Sequence, residues 1–86
     1  MVKIWFKTIE DKRLLSSNIY HYEGKFDENM FDEYLRYACH EMDIPTPVVL
    51  KHHVSNFVQF NICRFNKSDF VESTAFDELT LENCPI

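Results

Sequence analysis

The chain has 86 residues, 45% of them hydrophobic and 15% aromatic, with 14 acidic side chains against nine Lys and Arg and a formal charge of −5. That length holds one domain, spanning residues 1–86, and that apolar content excludes a disordered chain, which lacks the side chains needed to offset the entropy of ordering. The acidic balance argues against nucleic acid as a partner, because a phosphate-binding surface needs clustered cations.

Val2, Ile4 and Phe6 alternate with Lys3, Trp5 and Lys7, the period of two that sends one set of side chains into a core and the other away from it. This predicts a first strand. The polar cluster Glu10-Asp11-Lys12 reads as a turn, and Leu14 through Tyr22 as the returning strand of an antiparallel hairpin. Ser16-Ser17-Asn18 marks the place for a bulge in that second strand.

After Gly24, the only glycine, the signals change to those of a helix over Asp27 to Asp43. Asp27 suits the N-cap, Phe26 and Phe31 form a hydrophobic staple, and the acids at 27, 28, 32 and 33 suit the positive end of the helix dipole. Met30, Phe31, Tyr34, Leu35, Ala38 and Met42 fall on one face, and Asp32, Glu33, Arg36 and His40 on the other. Asp43-Ile44-Pro45 closes it, since the residue before a proline avoids the α region.

Pro45-Thr46-Pro47 forces an extended lead-in, and Val48-Val49-Leu50 predicts a third strand running to about His53. Residues 55–65 fit either period; poor helix formers favour a turn and a strand over Gln59 to Phe65. Ser68 suits the cap of one helical turn through Phe70 and Val71, and Phe76, Leu79 and Leu81 anchor a last strand. The expectation is a two-layer α+β fold, one helix packed on a mainly antiparallel sheet, in the order β-β-α-β-β-β. Phe57, Phe60, Phe65, Phe70 and Phe76 supply its filling.

The 13 N-terminal residues, MVKIWFKTIEDKR, lack the apolar run of a secretory signal, and no segment approaches the roughly 20 apolar residues that cross a bilayer. No membrane partner is expected. Cys39, Cys63 and Cys84 are odd in number, whereas disulfide scaffolds of this size use four, six or eight cysteines. A reduced, cytoplasmic setting with chemically quiet thiols follows.

Chemical motifs are sparse. His52 and His53 are adjacent, and neighbours on a strand point to opposite faces, so one metal ion cannot use both without distortion. One glycine cannot build a phosphate loop or a dinucleotide turn. Neither catalytic residues nor cofactors are assigned. The surface that stands out is aromatic: Tyr20 and Tyr22 share a strand face, and Trp5 lies on the facing strand of the hairpin.

The stretch RFNKSDFVESTAFDELTLE, with the extended Pro-x-Val run before it, resembles the C-terminal part of small uncharacterised bacterial proteins, over Pro45 to Glu82. That resemblance implies no activity and carries over no site residue. The leading expectation is a protein-interaction module or small homo-oligomer without catalytic activity, using Trp5, Tyr20 and Tyr22 or an exposed strand edge. Two alternatives stand beside it: a ligand- or metal-binding domain using His52, His53 and the cysteines, and an acidic inhibitor or regulator of a nucleic-acid enzyme.

Overall fold

Alternation along β1 (Val2–Glu10) sets the plan of the molecule, because Val2, Ile4, Phe6 and Thr8 are buried and every residue between them is only half covered. A computed structural model describes residues 1–84 and gives the remaining elements as β2 (Arg13–Tyr22), α1 (Phe31–Glu41), α2 (Lys51–Phe60), β3 (Ile62–Asn66) and β4 (Glu78–Asn83). Single 3-10 turns cover Glu28–Met30 and Lys67–Asp69. The four strands form one antiparallel sheet in the order β2-β1-β4-β3.

The α+β class and the antiparallel sheet agree with the sequence reading, but the helix count and element order do not. Two helices cover the sheet, and the order is β-β-α-α-β-β. The error lies in residues 48–60. Val48–Leu50 are extended without joining a strand, held by the Val48 amide donating to the Asp69 carbonyl at 2.8 Å. From Lys51 the chain is helical and buries His53 and Phe57, four residues apart, with Val54 half-buried between them. His53 also acts as a cap, its Nδ1 accepting the Leu50 amide at 3.0 Å and satisfying one donor that the first turn leaves open.

The first helix is shorter than expected. Asp27 caps the 3-10 turn, its Oδ1 accepting the Asn29 amide at 2.9 Å, and the α-helix proper begins at Phe31. Its buried face is Phe31, Tyr34, Leu35, Ala38 and Cys39, whereas Met30 is exposed and Met42 only half covered. The end is a Schellman turn: Asp43 takes a φ of 56°, its amide donates to the His40 carbonyl, and the Ile44 amide donates to the Cys39 carbonyl. Asn61, with φ 61°, ends α2 in the same left-handed conformation.

The core between helices and sheet gathers Ile4, Phe6, Leu79, Leu81, Cys63 and Phe65 from the strands against the buried faces of α1 and α2. Phe57 sits at the seam, its ring centroid 5.4 Å from Phe31 and 5.5 Å from Phe26. Phe70 and Phe76 close one end as an edge-to-face pair. Of the five phenylalanines expected as filling, Phe60 is the exception at 65% exposure, because α2 turns it away from the buried stripe.

At the tip of the hairpin, Asp11 and Lys12 both take positive φ, 51° and 64°, as a two-residue turn between twisted strands requires. Asp77 steadies this turn by accepting the Asp11 amide at 2.8 Å, and its own amide donates to the Ile9 carbonyl. The bulge falls one residue earlier than the serines suggest: Thr8 pairs with Ser16 and Ile9 with Leu14, which leaves Leu15 without a partner on β1.

Candidate interaction edge

Strand register decides where the predicted surface residues go. Tyr20 lies opposite Ile4 and Tyr22 opposite Val2, so both tyrosines are on the helix-covered face. Trp5 lies opposite Ile19 and Glu82, on the face that no helix covers. The single aromatic patch of Trp5, Tyr20 and Tyr22 is therefore corrected to two groups on opposite faces. Facing strands do not suffice to share a face; the parity of the paired positions decides it.

On the helix side the tyrosines form a seam between β2 and α1. Tyr22 stacks on Tyr34 at 4.7 Å between ring centroids and donates its hydroxyl to the Tyr34 carbonyl at 2.8 Å. Tyr20 meets Phe6 and Tyr37 edge-to-face, at 5.7 Å each. Burial pushes the phenol of Tyr22 well above its ordinary range, and that of Tyr20 up as well, so both stay protonated at neutral pH. Along this seam a shallow groove of about 400 Å³ opens between Tyr22, Met30, Tyr34 and Tyr37.

The other face is polar at its centre and apolar at its β2 side. Lys7 binds Glu82 at 2.8 Å and lies over the Trp5 ring at 4.3 Å, and Thr80, buried although no helix covers it, donates to Glu78 at 2.8 Å. Long ion-paired side chains thus shield the middle of the sheet. Towards the edge the shielding stops: Leu14, Leu15 and Ile19 are 56%, 52% and 46% exposed. β2 has a neighbour on one side only, so its outer backbone groups lie along an open edge with apolar side chains on both faces.

The histidines and cysteines form no comparable site. His52 is exposed and its ring lies 4.0 Å from that of His53, which is buried against Phe65 at 4.2 Å. The strand argument that separated the two histidines does not apply, since both belong to α2. With Nδ1 of His53 used as an acceptor, Nε2 carries the hydrogen and points at Asp69 Oδ2 from 3.5 Å, too long for a good hydrogen bond. Burial, with the neighbouring His52, pulls the His53 pKa down against the opposing pull of Asp69.

Cys39 and Cys63 are buried free thiols, which burial pushes up to about 11 and about 12; Cys84 is half-exposed. Among the described residues no three His, Cys, Asp or Glu side chains converge as a metal site, and no helix is long and apolar enough to cross a membrane. Comparison with protein-family models, with curated proteins and with solved structures gave no match.

Proposed function

We propose that this chain is a non-catalytic interaction module whose binding surface is the open edge of β2, and that its partner there is a second copy of itself. The observation that supports this reading is the continuous ten-residue edge strand with exposed apolar side chains along it. Natural sheets usually blunt such an edge with inward charges, prolines or a covering element. Here the bulge at Leu15 blunts the tip, and Ser16–Tyr22 remain regular and free of carboxylates.

A two-fold axis at Ile19 pairs Ile19 with itself, Asn18 with Tyr20 and Ser16 with Tyr22, and brings the two Trp5 rings in as flanking neighbours on the same face as Ile19. The result is one eight-stranded antiparallel sheet. A ribbon of seven residues, roughly 23 Å long, buries less than a standard interface, so dissociation in the micromolar range is expected.

Sedimentation equilibrium across micromolar to millimolar concentration tests this. Ile19→Lys places like charges across the axis and weakens association at least tenfold with the monomer fold intact. A strict monomer at millimolar concentration, or a dimer indifferent to that substitution, removes the reading.

A further inference from the structure

The groove between β2 and α1 has a chemistry that closing the fold does not require. Three rings line it, those of Tyr22, Tyr34 and Tyr37, together with the Met30 thioether. Tyr34, 7% exposed, forms the floor, Tyr22 is half-buried, and Tyr37 stands out at 52% exposure. Tyr22 and Tyr37 meet edge-to-face at 77° with 5.9 Å between centroids, and the corner of such a T is bounded by a face of each ring. Two of the three hydroxyls are engaged: that of Tyr22 donates to the Tyr34 carbonyl, and that of Tyr34 accepts the Asp27 amide at 3.2 Å. The groove therefore presents mainly aromatic and thioether surface.

Charge selects the occupant. The carboxylates lining the groove are Glu23 and Glu33, and no lysine or arginine lines it. Glu23 is in no ion pair among the described residues, and Glu33 has Arg36 at 3.5 Å, both side chains more than half exposed, an arrangement that solvent keeps weak. The remaining lining residue, His21, is exposed, with Nδ1 3.3 Å from the Met1 sulfur. Aromatic faces attract cations through the ring quadrupole, and a quaternary ammonium suits such a site because it carries charge without N–H groups to leave unsatisfied. We infer that this groove binds a trimethyllysine side chain of a partner protein, its trimethylammonium head in the corner of Tyr22 and Tyr37 and its alkyl stem along Met30, beneath a rim of Glu23 and Glu33.

A choline lipid headgroup carries the same cation but holds a phosphate two carbons away, which the two carboxylates and the net charge of −5 repel. Free choline lacks the long stem and leaves more of a shallow groove in water. The inference rests on side chains of the helix-covered face and is separate from backbone pairing along β2.

The test is an NMR titration of the full chain with end-blocked alanine pentapeptides whose central residue is trimethyllysine, lysine, or the neutral isostere in which carbon replaces the ammonium nitrogen. With the first peptide, amide shifts centred on His21, Tyr22, Glu23, Met30, Tyr34 and Tyr37 are expected, with an upfield ring-current shift of the N-methyl protons. Lysine and the neutral isostere each bind at least fivefold more weakly. Tyr37→Leu keeps an apolar wall without the ring and weakens binding at least fivefold, whereas Tyr37→Phe binds as the parent does. Glu23→Gln with Glu33→Gln weakens it several-fold; all three positions are exposed, and an unchanged amide pattern away from the groove verifies the fold. Equal binding of the neutral isostere, equal or tighter binding of the lysine peptide, an undiminished response in Tyr37→Leu, silence at millimolar peptide, or stronger binding of choline or of phosphatidylcholine vesicles would each overturn the inference.

Discussion

The molecule divides into two helix-on-edge halves that are closed by different means. Over β2, α1 is held by rings: Tyr22 on Tyr34 and Tyr20 against Tyr37, with five helix residues buried. Over β3, α2 buries just His53 and Phe57, and His52, Asn56 and Phe60 stand beside the strand instead of sealing it. The first half spends its aromatic side chains on closure and leaves a shallow groove, whereas the second leaves a walled one. A small sheet protein can thus keep two open edges whose neighbouring side chains differ in both charge and shape.

The sharpest way to break the comparison is at the seam. Phe57→Ala removes the ring that joins both helices and should cost about 3–5 kcal/mol, while Leu35→Ala in the α1 half should cost about 2–5 kcal/mol. Chemical denaturation reads both. If Phe57→Ala cost less than about 1 kcal/mol, α2 would be attached by something other than the seam.

Tyr22→Phe is a smaller lesion, since it removes one hydrogen bond to the Tyr34 carbonyl and leaves the stacking; about 0.5–1.5 kcal/mol is expected. No change in the midpoint would show that the hydroxyl is solvated in the α1 half. The same contacts make Tyr22→Ser a destabilising change and not a neutral probe of the surface.

The α2 half should respond to acid in a way the α1 half does not. His53 has its folded pKa below the ordinary 6.5, so between the two values the unfolded chain binds more protons than the folded one. The associated stability is complete above 6.5 and is lost as pH falls through the folded value. The melting temperature should therefore drop between pH 7 and pH 5.5, with a shallower drop in His53→Gln; parallel slopes would show that His53 does not contribute.

Thiol labelling is the mildest probe. At neutral pH a maleimide should modify Cys84 first, with Cys39 on the buried face of α1 and Cys63 of β3 beside α2 protected to similar degrees. Faster reaction at Cys63 would show that the α2 half opens more readily.

The same two halves explain what was legible in the sequence. α1 carries its signals on residues that need no tertiary partner, namely a capping Asp27, acids in the first turn and a full apolar stripe, so its existence could be read locally. α2 lacks them. Its cap is a histidine at the third helical position, its buried stripe is two residues and a half, and Val48, Val49, Val54 and Val58 imitate a strand. The helix exists because Phe57 and His53 find Phe31 and Phe65, contacts written nowhere in residues 48–60. The edges were equally hidden, because strand order depends on β4 entering between β1 and β3. The parity that separates Trp5 from Tyr20 and Tyr22 could not be had from the two-residue turn at Asp11-Lys12, which without a bulge would set Tyr20 opposite Lys3 on the Trp5 face; the extra residue at Leu15 shifts the register by one and moves both tyrosines to the other side.

That entry of β4 has a consequence for how the chain reaches its native state. β1 and β3 never touch as neighbours; the strand between them is the last to be made, and β1 must hold its second edge unpaired until residues 78–83 arrive. The hairpin of β1 and β2 and both helices can form early, yet none of them sits on a finished surface. Closure over some seventy residues is slow compared with local turns, and in the interval Phe6 and Ile4 line an apolar trough without a lid. A chain stopped short of Glu78 would then be a hairpin and two loose helices exposing that trough, a species that aggregates or recruits a chaperone.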